Sequence, residues 1–202
     1  MTKQFVFSVT LALALAGARN AGAQAPPLED ITRFDMTRSA GATAAGCLPD
    51  AVAKVTLKSL GEVEIMSVAA TGLPPNTGFD LFVIQLPNAP FGLSWYQGDM
   101  ESDALGRAQG TFIGRFNEET FIVAPGAGPA PVVHNTDAAT NPPTAPVHTF
   151  HVGLWFNSPD EALAAGCPNT VTPFNGEHHA GIQALSTNHF GNLDGPLRRL
   201  KP

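Results

Sequence analysis

Turn residues cut this chain into short pieces, and that limits it more than anything else. It carries 20 Gly and 18 Pro in 202 residues. Between the breaks, apolar side chains recur with a period of two, the period of a strand whose side chains alternate between faces. Val63 and Ile65 stand against Glu62 and Glu64. Val52, Lys54, Thr56 and Lys58 alternate with Ala53, Val55, Leu57 and Ser59. Ser59-Leu60-Gly61 separates these two runs and predicts a hairpin. Thr71 to Gly78 is a dense turn signal. Phe79 to Gln85 is apolar on both faces, which predicts a central, buried strand.

Further strands are expected at Leu93–Gln97, Ala108–Phe116, Thr120–Ala124, Val147–Phe156 and Glu177–Thr187, with Val147–Phe156 the strongest. Pro125–Pro146, rich in Pro, Ala, Gly and Asn, reads as a long loop of the functional or mobile kind. One short helix is expected near 159–165. Ser158 can cap it, Pro159 opens it, Asp160 and Glu161 fill its first turn, and Gly166 stops it. Roughly seven to nine short strands with almost no helix is the pattern of an all-β chain. The fold class is an antiparallel β-sandwich of immunoglobulin-like type, with a jelly roll as the alternative.

The start of the chain bears on destination. Lys3 precedes an apolar run from Phe5 to Ala16, and Ala21-Gly22-Ala23 has the small-x-small form of a cleavage site. Residues 1–23 therefore read as a secretory signal peptide. The run is too short to span a bilayer, and no later stretch approaches the required ~20 apolar residues. Residues 24–46 read as a flexible leader, 47–190 as the β-sandwich domain and 191–202 as a C-terminal tail. The protein is expected to be secreted, either extracellular or periplasmic.

Cys47 and Cys167 are the two cysteines. In an oxidising compartment they are expected to pair. Closing a loop of about 120 residues stabilises a fold by roughly 4–5 kcal/mol at most. The formal net charge is −6, and cleavage would remove two cations, Lys3 and Arg19, but no acid. Such an acidic chain, without a run of Lys or Arg, is not expected to bind nucleic acid or anionic lipid.

Val68 to Val83, with the Gly72-Leu73-Pro74-Pro75-Asn76-Thr77 turn inside it, resembles the strand–turn–strand phrase of fibronectin type III and other immunoglobulin-like modules. Trp95 to Gly110 looks like a hairpin of secreted bacterial sandwich domains. The rest of the chain is similar to an uncharacterised family of secreted bacterial proteins. The resemblance implies the sandwich fold and no activity. The chain departs from the fibronectin module in its length and its disulfide.

No catalytic motif is present. Gly92-Leu93-Ser94-Trp95-Tyr96 lacks the second glycine of a nucleophile elbow. There is no phosphate-cradling glycine loop, and no carboxylate pair marks a glycosidase. No catalytic residue is assigned. Histidines are the first candidates for chemistry. Strand parity puts His148 with Phe150, Val152, Leu154 and Phe156 on the core face, and His151 with Thr149, Gly153 and Trp155 on the other. It puts His178 with Ala180 and Ile182, and His179 with Glu177 and Gly181. If the two strands pair, His148 and His178 meet at one end, or His151 and His179 on the outer face, with Glu177 or His189 completing a Zn or Cu(II) site. Otherwise these histidines bond loop backbone and no cofactor is bound.

Trp95, Tyr96 and Trp155 are the second candidates, as anchors for a protein or carbohydrate ligand or as core packing. The leading expectation is a non-catalytic binding module with an unknown protein or carbohydrate ligand, its recognition loops Pro87–Trp95 and Pro125–Pro146. A histidine-based Zn or Cu protein is the alternative.

Overall fold

A computed structural model describes residues 28–120, 146–173 and 179–201. The expected signal peptide, His134, Glu177, His178 and almost all of the Pro125–Pro146 loop lie outside the described residues. The chain is all-β and antiparallel. Its strands are β1 (Ile31–Arg38), β2 (Val52–Ser59), β3 (Glu64–Thr71), β4 (Gly78–Ile84), β5 (Ser94–Glu101), β6 (Ala108–Gly114), β7 (Glu118–Thr120), β8 (Pro146–His148), β9 (His151–Phe156) and β10 (Gln183–Ser186). Among the described residues there are also two short helices, α1 (Ala40–Ala45) and α2 (Pro159–Ala164), and a 3-10 turn at Pro196–Arg199. Among the described residues no helix is long and apolar enough to cross a membrane.

Eight strands form one sheet in the order β5-β4-β9-β10-β1-β2-β3-β6, and β7 pairs with β8 apart from it. The end strands β5 and β6 also approach each other. They are joined through a turn in which Asp103 Oδ1 accepts from Leu105 N and Arg107 N. The sheet is therefore nearly barrel-like, which is consistent with the sandwich class. It changes partners along β1. Ile31 to Met36 pair with β2, whereas Thr37 and Arg38 pair with β10. Inside lies one core that includes Met36, Leu57, Met66, Phe79, Leu154 and Leu185. Burying side chains of this size stabilises by about 1.5–3 kcal/mol each.

The local readings hold where the signal is local. β2 and β3 pair through a tight connection, with Leu60 N donating to Val63 O (2.8 Å). β4 is buried on both faces between β5 and β9. In α2, Ser158 Oγ accepts from Glu161 N, and Gly166 takes φ +76° just beyond the helix, the left-handed conformation that glycine adopts without steric penalty. Cys47 and Cys167 form a disulfide, with S–S 2.13 Å and Cα–Cα 5.4 Å.

Four expectations are corrected. The leader 24–46 contains β1, a strand paired on both sides, with Phe34 and Met36 buried. α1 follows it, capped by Ser39 and ended by Gly46. Only two large apolar residues face inward from β1, so its alternation is short. The tail 191–202 is docked. Leu197 and Leu200 are buried, Leu200 bridges Glu29, and Lys201 Nζ lies 2.9 Å from Asp30.

Val147–Phe156 is two strands, because the chain changes partner in the middle. Thr149 N donates to Asn117 O, and Phe150 N donates to Ile84 O. Of the expected strand Glu177–Thr187, the described part from His179 onward forms a strand only at Gln183–Ser186, preceded by a lone bridge between Thr172 and Ala180.

Candidate functional site

The outer face of β4, β9 and β10 departs most from the simple strand reading. Parity holds: Val152, Leu154 and Phe156 join the main core, while His151 and Trp155 face the other way. Yet Trp155 and His151 are both 0 % exposed. A second, smaller core of Phe82, Ile84, Trp155 and Ala180 lies there, with Phe91 packed against it. Gly153 makes room for it. A Cβ at this position would lie 2.3 Å from the Trp155 ring and 2.6 Å from Gln183 Nε2.

The β4–β5 connection forms the lid of this second core. Leu86 N donates to Phe91 O (2.8 Å) and Phe91 N to Asn88 O (2.9 Å), so the loop folds back on itself. Ser186 Oγ donates to Pro87 O (2.9 Å) and ties the loop to β10. The Ala89–Pro90 peptide is cis, and Phe91 sits at φ +58°. A left-handed conformation in a non-glycine residue costs roughly 1–2 kcal/mol. The Phe91 ring packs edge-on against Trp155 at 5.1 Å, and Trp155 in turn packs against Phe82 at 5.4 Å.

The same loop forms one wall of an apolar groove of about 940 Å³. Asn88 to Phe91 line that side, α1 lines the second, and the segment after Cys167, from Pro168 to Pro173, lines the third. Ile182 and Gln183 border it as well. α1 is held against β10 by its cap residue. Ser39 N donates to Ala184 O (3.0 Å), and Ser39 Oγ donates to Gln183 O (2.5 Å). Ala40, Gly41, Ala44 and Ala45 keep this wall low, and a Cβ on Gly41 would come within 3.1 Å of Ile182. The disulfide joins the end of the α1 wall to the start of the Pro168–Pro173 wall.

Among the described residues, no charged side chain lines the groove. Two buried amide atoms on lining residues, Gln183 Nε2 and Asn88 Oδ1, have no hydrogen-bond partner among the described residues. Volume, apolar lining and a few polar groups match a small-molecule pocket.

The expected site residues are dispersed. Trp95 and Tyr96, 41 % and 42 % exposed, are surface residues of β5 outside the groove. Tyr96 packs edge-on against Phe82 and donates its hydroxyl to Asp99 Oδ1 (2.5 Å). Partial burial, that hydrogen bond and the negative charges of Asp99 and Asp80 hold its phenol above the ordinary range. Trp155 is corrected from a surface anchor to a core residue, because the β4–β5 loop covers it.

His151 is a core residue with both ring nitrogens engaged, Nδ1 with Thr187 Oγ1 (2.9 Å) and Nε2 with Asn192 O (3.0 Å). A carbonyl only accepts, so Nε2 carries the proton and Nδ1 accepts from the threonine hydroxyl. Neither nitrogen is left for a metal. Burial, outweighing these hydrogen bonds, lowers the imidazole below its ordinary value. His148 stacks on Phe150 at 6.0 Å, and His179 is exposed. His189 is exposed and packs against Phe190 at 4.4 Å. Among the described residues, no three His, Cys, Asp or Glu side chains gather into a metal-binding group.

Sequence reasoning singled out the Pro87–Trp95 loop but not the walls facing it. The Cys47–Cys167 pairing was the available signal, since it predicts that the residues before Cys47 lie beside those after Cys167. No family model matches this chain, and neither a curated protein nor a solved structure is significantly similar to it.

Proposed function

We propose that this is a secreted, non-catalytic binding module that takes a small, mostly apolar ligand in the groove between α1, the Asn88–Phe91 loop and Pro168–Pro173. The groove itself carries the reading: about 940 Å³, lined among the described residues without a charged side chain and walled on one side by the Asn88–Phe91 loop. The strained Phe91 fits this use, because strained backbone collects at ligand sites. Export is supported by the signal-peptide form of residues 1–23 and by the disulfide.

The test is binding of the neutral, polarity-sensitive dye Nile red to the mature, oxidised protein. Its fluorescence is expected to rise on binding and to lose that rise in Ala44→Trp, which fills the groove from an exposed position of α1. Equal fluorescence in both proteins, with the same circular dichroism, would overturn the reading.

A further inference from the structure

We infer that the β4–β5 loop is a lid held shut by the ligand of the groove, with Phe91 as its latch. The inference deepens the binding reading above and rests on it. Three observations carry it.

The first is position. Phe91 lines the groove and also packs against the second core, where its ring meets Trp155 edge-on at 5.1 Å. One side chain therefore touches both compartments. Whatever presses on Phe91 from the groove acts on the cover of Trp155, which is fully buried.

The second is attachment. The base of the loop is clamped, since Gln85 N donates to Leu93 O (3.1 Å) and Leu93 N donates to Gln85 Oε1 (2.8 Å). Beyond the clamp, Leu86 N donates to Phe91 O, Phe91 N to Asn88 O and Gly92 N to Pro90 O, all within the loop. Ser186 Oγ, donating to Pro87 O (2.9 Å), ties it to β10. A segment bonded largely to itself can swing as a unit without breaking its own hydrogen bonds, as hinged lids do.

The third is strain. Phe91 and Gly92 follow one another in the left-handed region, at φ +58° and +70°. Glycine sits there without penalty, whereas phenylalanine does not. Opening the lid releases that strain and gives up the contact with Trp155. Closure is thus a balance that a ligand can tip. A ligand shifts such a balance only by binding one state better. The groove has its Asn88–Phe91 wall only while the lid is closed, so an apolar ligand favours the closed state.

The experiment uses Nile red as the probe and Trp155 as the reporter. Trp95→Phe, at a position outside the groove, leaves Trp155 as the one tryptophan. Acrylamide quenching of this mature, oxidised protein is followed by fluorescence lifetime, so that energy transfer to the dye does not enter the quenching constant. Saturation with Nile red is expected to lower that constant about threefold, as the open population shrinks. In the same background, Ser186→Ala removes the tie to β10 without altering the groove lining. It is expected to raise quenching of the free protein and to weaken Nile red binding about threefold, because apparent affinity scales with the closed fraction. Phe91→Ala is expected to leave Trp155 readily quenched whether or not the dye is present.

A quenching constant that saturating dye leaves unchanged in the Trp95→Phe protein would overturn the lid and leave the groove standing. So would a folded Ser186→Ala protein that binds the dye as tightly as its parent. If Ser186→Ala fails to fold, Phe91→Ala decides, and a dye response of Trp155 that survives there would overturn the latch. Failure of the dye to bind, or binding indifferent to Ala44→Trp, would overturn the groove reading and this inference with it.

Discussion

The two halves of the sheet treat their outer faces differently. On β2 and β3, burial alternates: Ala53, Val55 and Leu57, then Met66, Val68 and Ala70, point inward, while Lys54, Lys58, Ser67 and Ala69 meet solvent. On β9 and β10 every residue is buried. Strand parity is the same in both halves. What differs is the chain laid over the outside. The β4–β5 loop covers Trp155, and the Gly191–Gly195 segment passes over His151, where a Cβ on Gly195 would come within 2.8 Å of the imidazole. The groove lies on the covered half, beside the loop that does the covering. A bare outer face offers a flat surface, whereas a covered one creates walls and therefore a cavity.

The largest expected effect comes from removing the centre of the covered face. Trp155→Ala should destabilise by about 3–5 kcal/mol, measured by urea unfolding, because the cavity lies between Phe82 and Phe91. A loss below about 1 kcal/mol, within the range of surface changes, would mean that the second core does not hold the loop down. Next is the disulfide. Replacing both cysteines with serine should lower stability by about 2–4 kcal/mol and weaken Nile red binding, since the bridge joins two groove walls. Unchanged melting in the presence of reductant would remove it from the comparison.

A smaller effect belongs to His151. Burial lowers its folded-state pKa, so the unfolded chain binds the proton more tightly. Its contribution is therefore intact above about pH 6.5 and declines as pH falls below that value, by at most about 1.4 kcal/mol per pH unit. His151→Gln should flatten the fall in unfolding free energy between pH 7 and pH 5. An unaltered slope would assign the acid sensitivity to other groups. The smallest change is expected on the open half. Lys58→Ala, on the exposed face of β2, should stay within about 0.5 kcal/mol of the native protein. A larger loss would show that the open face is covered in solution, and would erase the contrast.

The all-β class, the β2–β3 hairpin, the buried β4 and the capped helix α2 were legible because each rests on neighbours within a few residues: a period of two, a turn dipeptide, a capping serine. β1 was not. Its inward set, Thr32, Phe34 and Met36, alternates with Arg33, Asp35 and Thr37 in a short run flanked by Ala, Gly and Pro, and carries little apolar weight alone. It becomes a strand because β2 and β10 both supply backbone partners. The break at Thr149–Phe150 was hidden for the same reason, since the residues are strand formers and only their distant partners, Asn117 and Ile84, divide them.

Of the candidate site, the sequence alone determined the disulfide, the β4–β5 loop and which side chains share each face of β9. Only the tertiary structure decided which faces would be wet. That choice turned Trp155 and His151 into core residues and left Trp95 and Tyr96 at the surface. Parity is a property of one strand's backbone. Exposure depends on segments far along the chain, and the apolar area they remove from water is set by where the whole chain closes on itself.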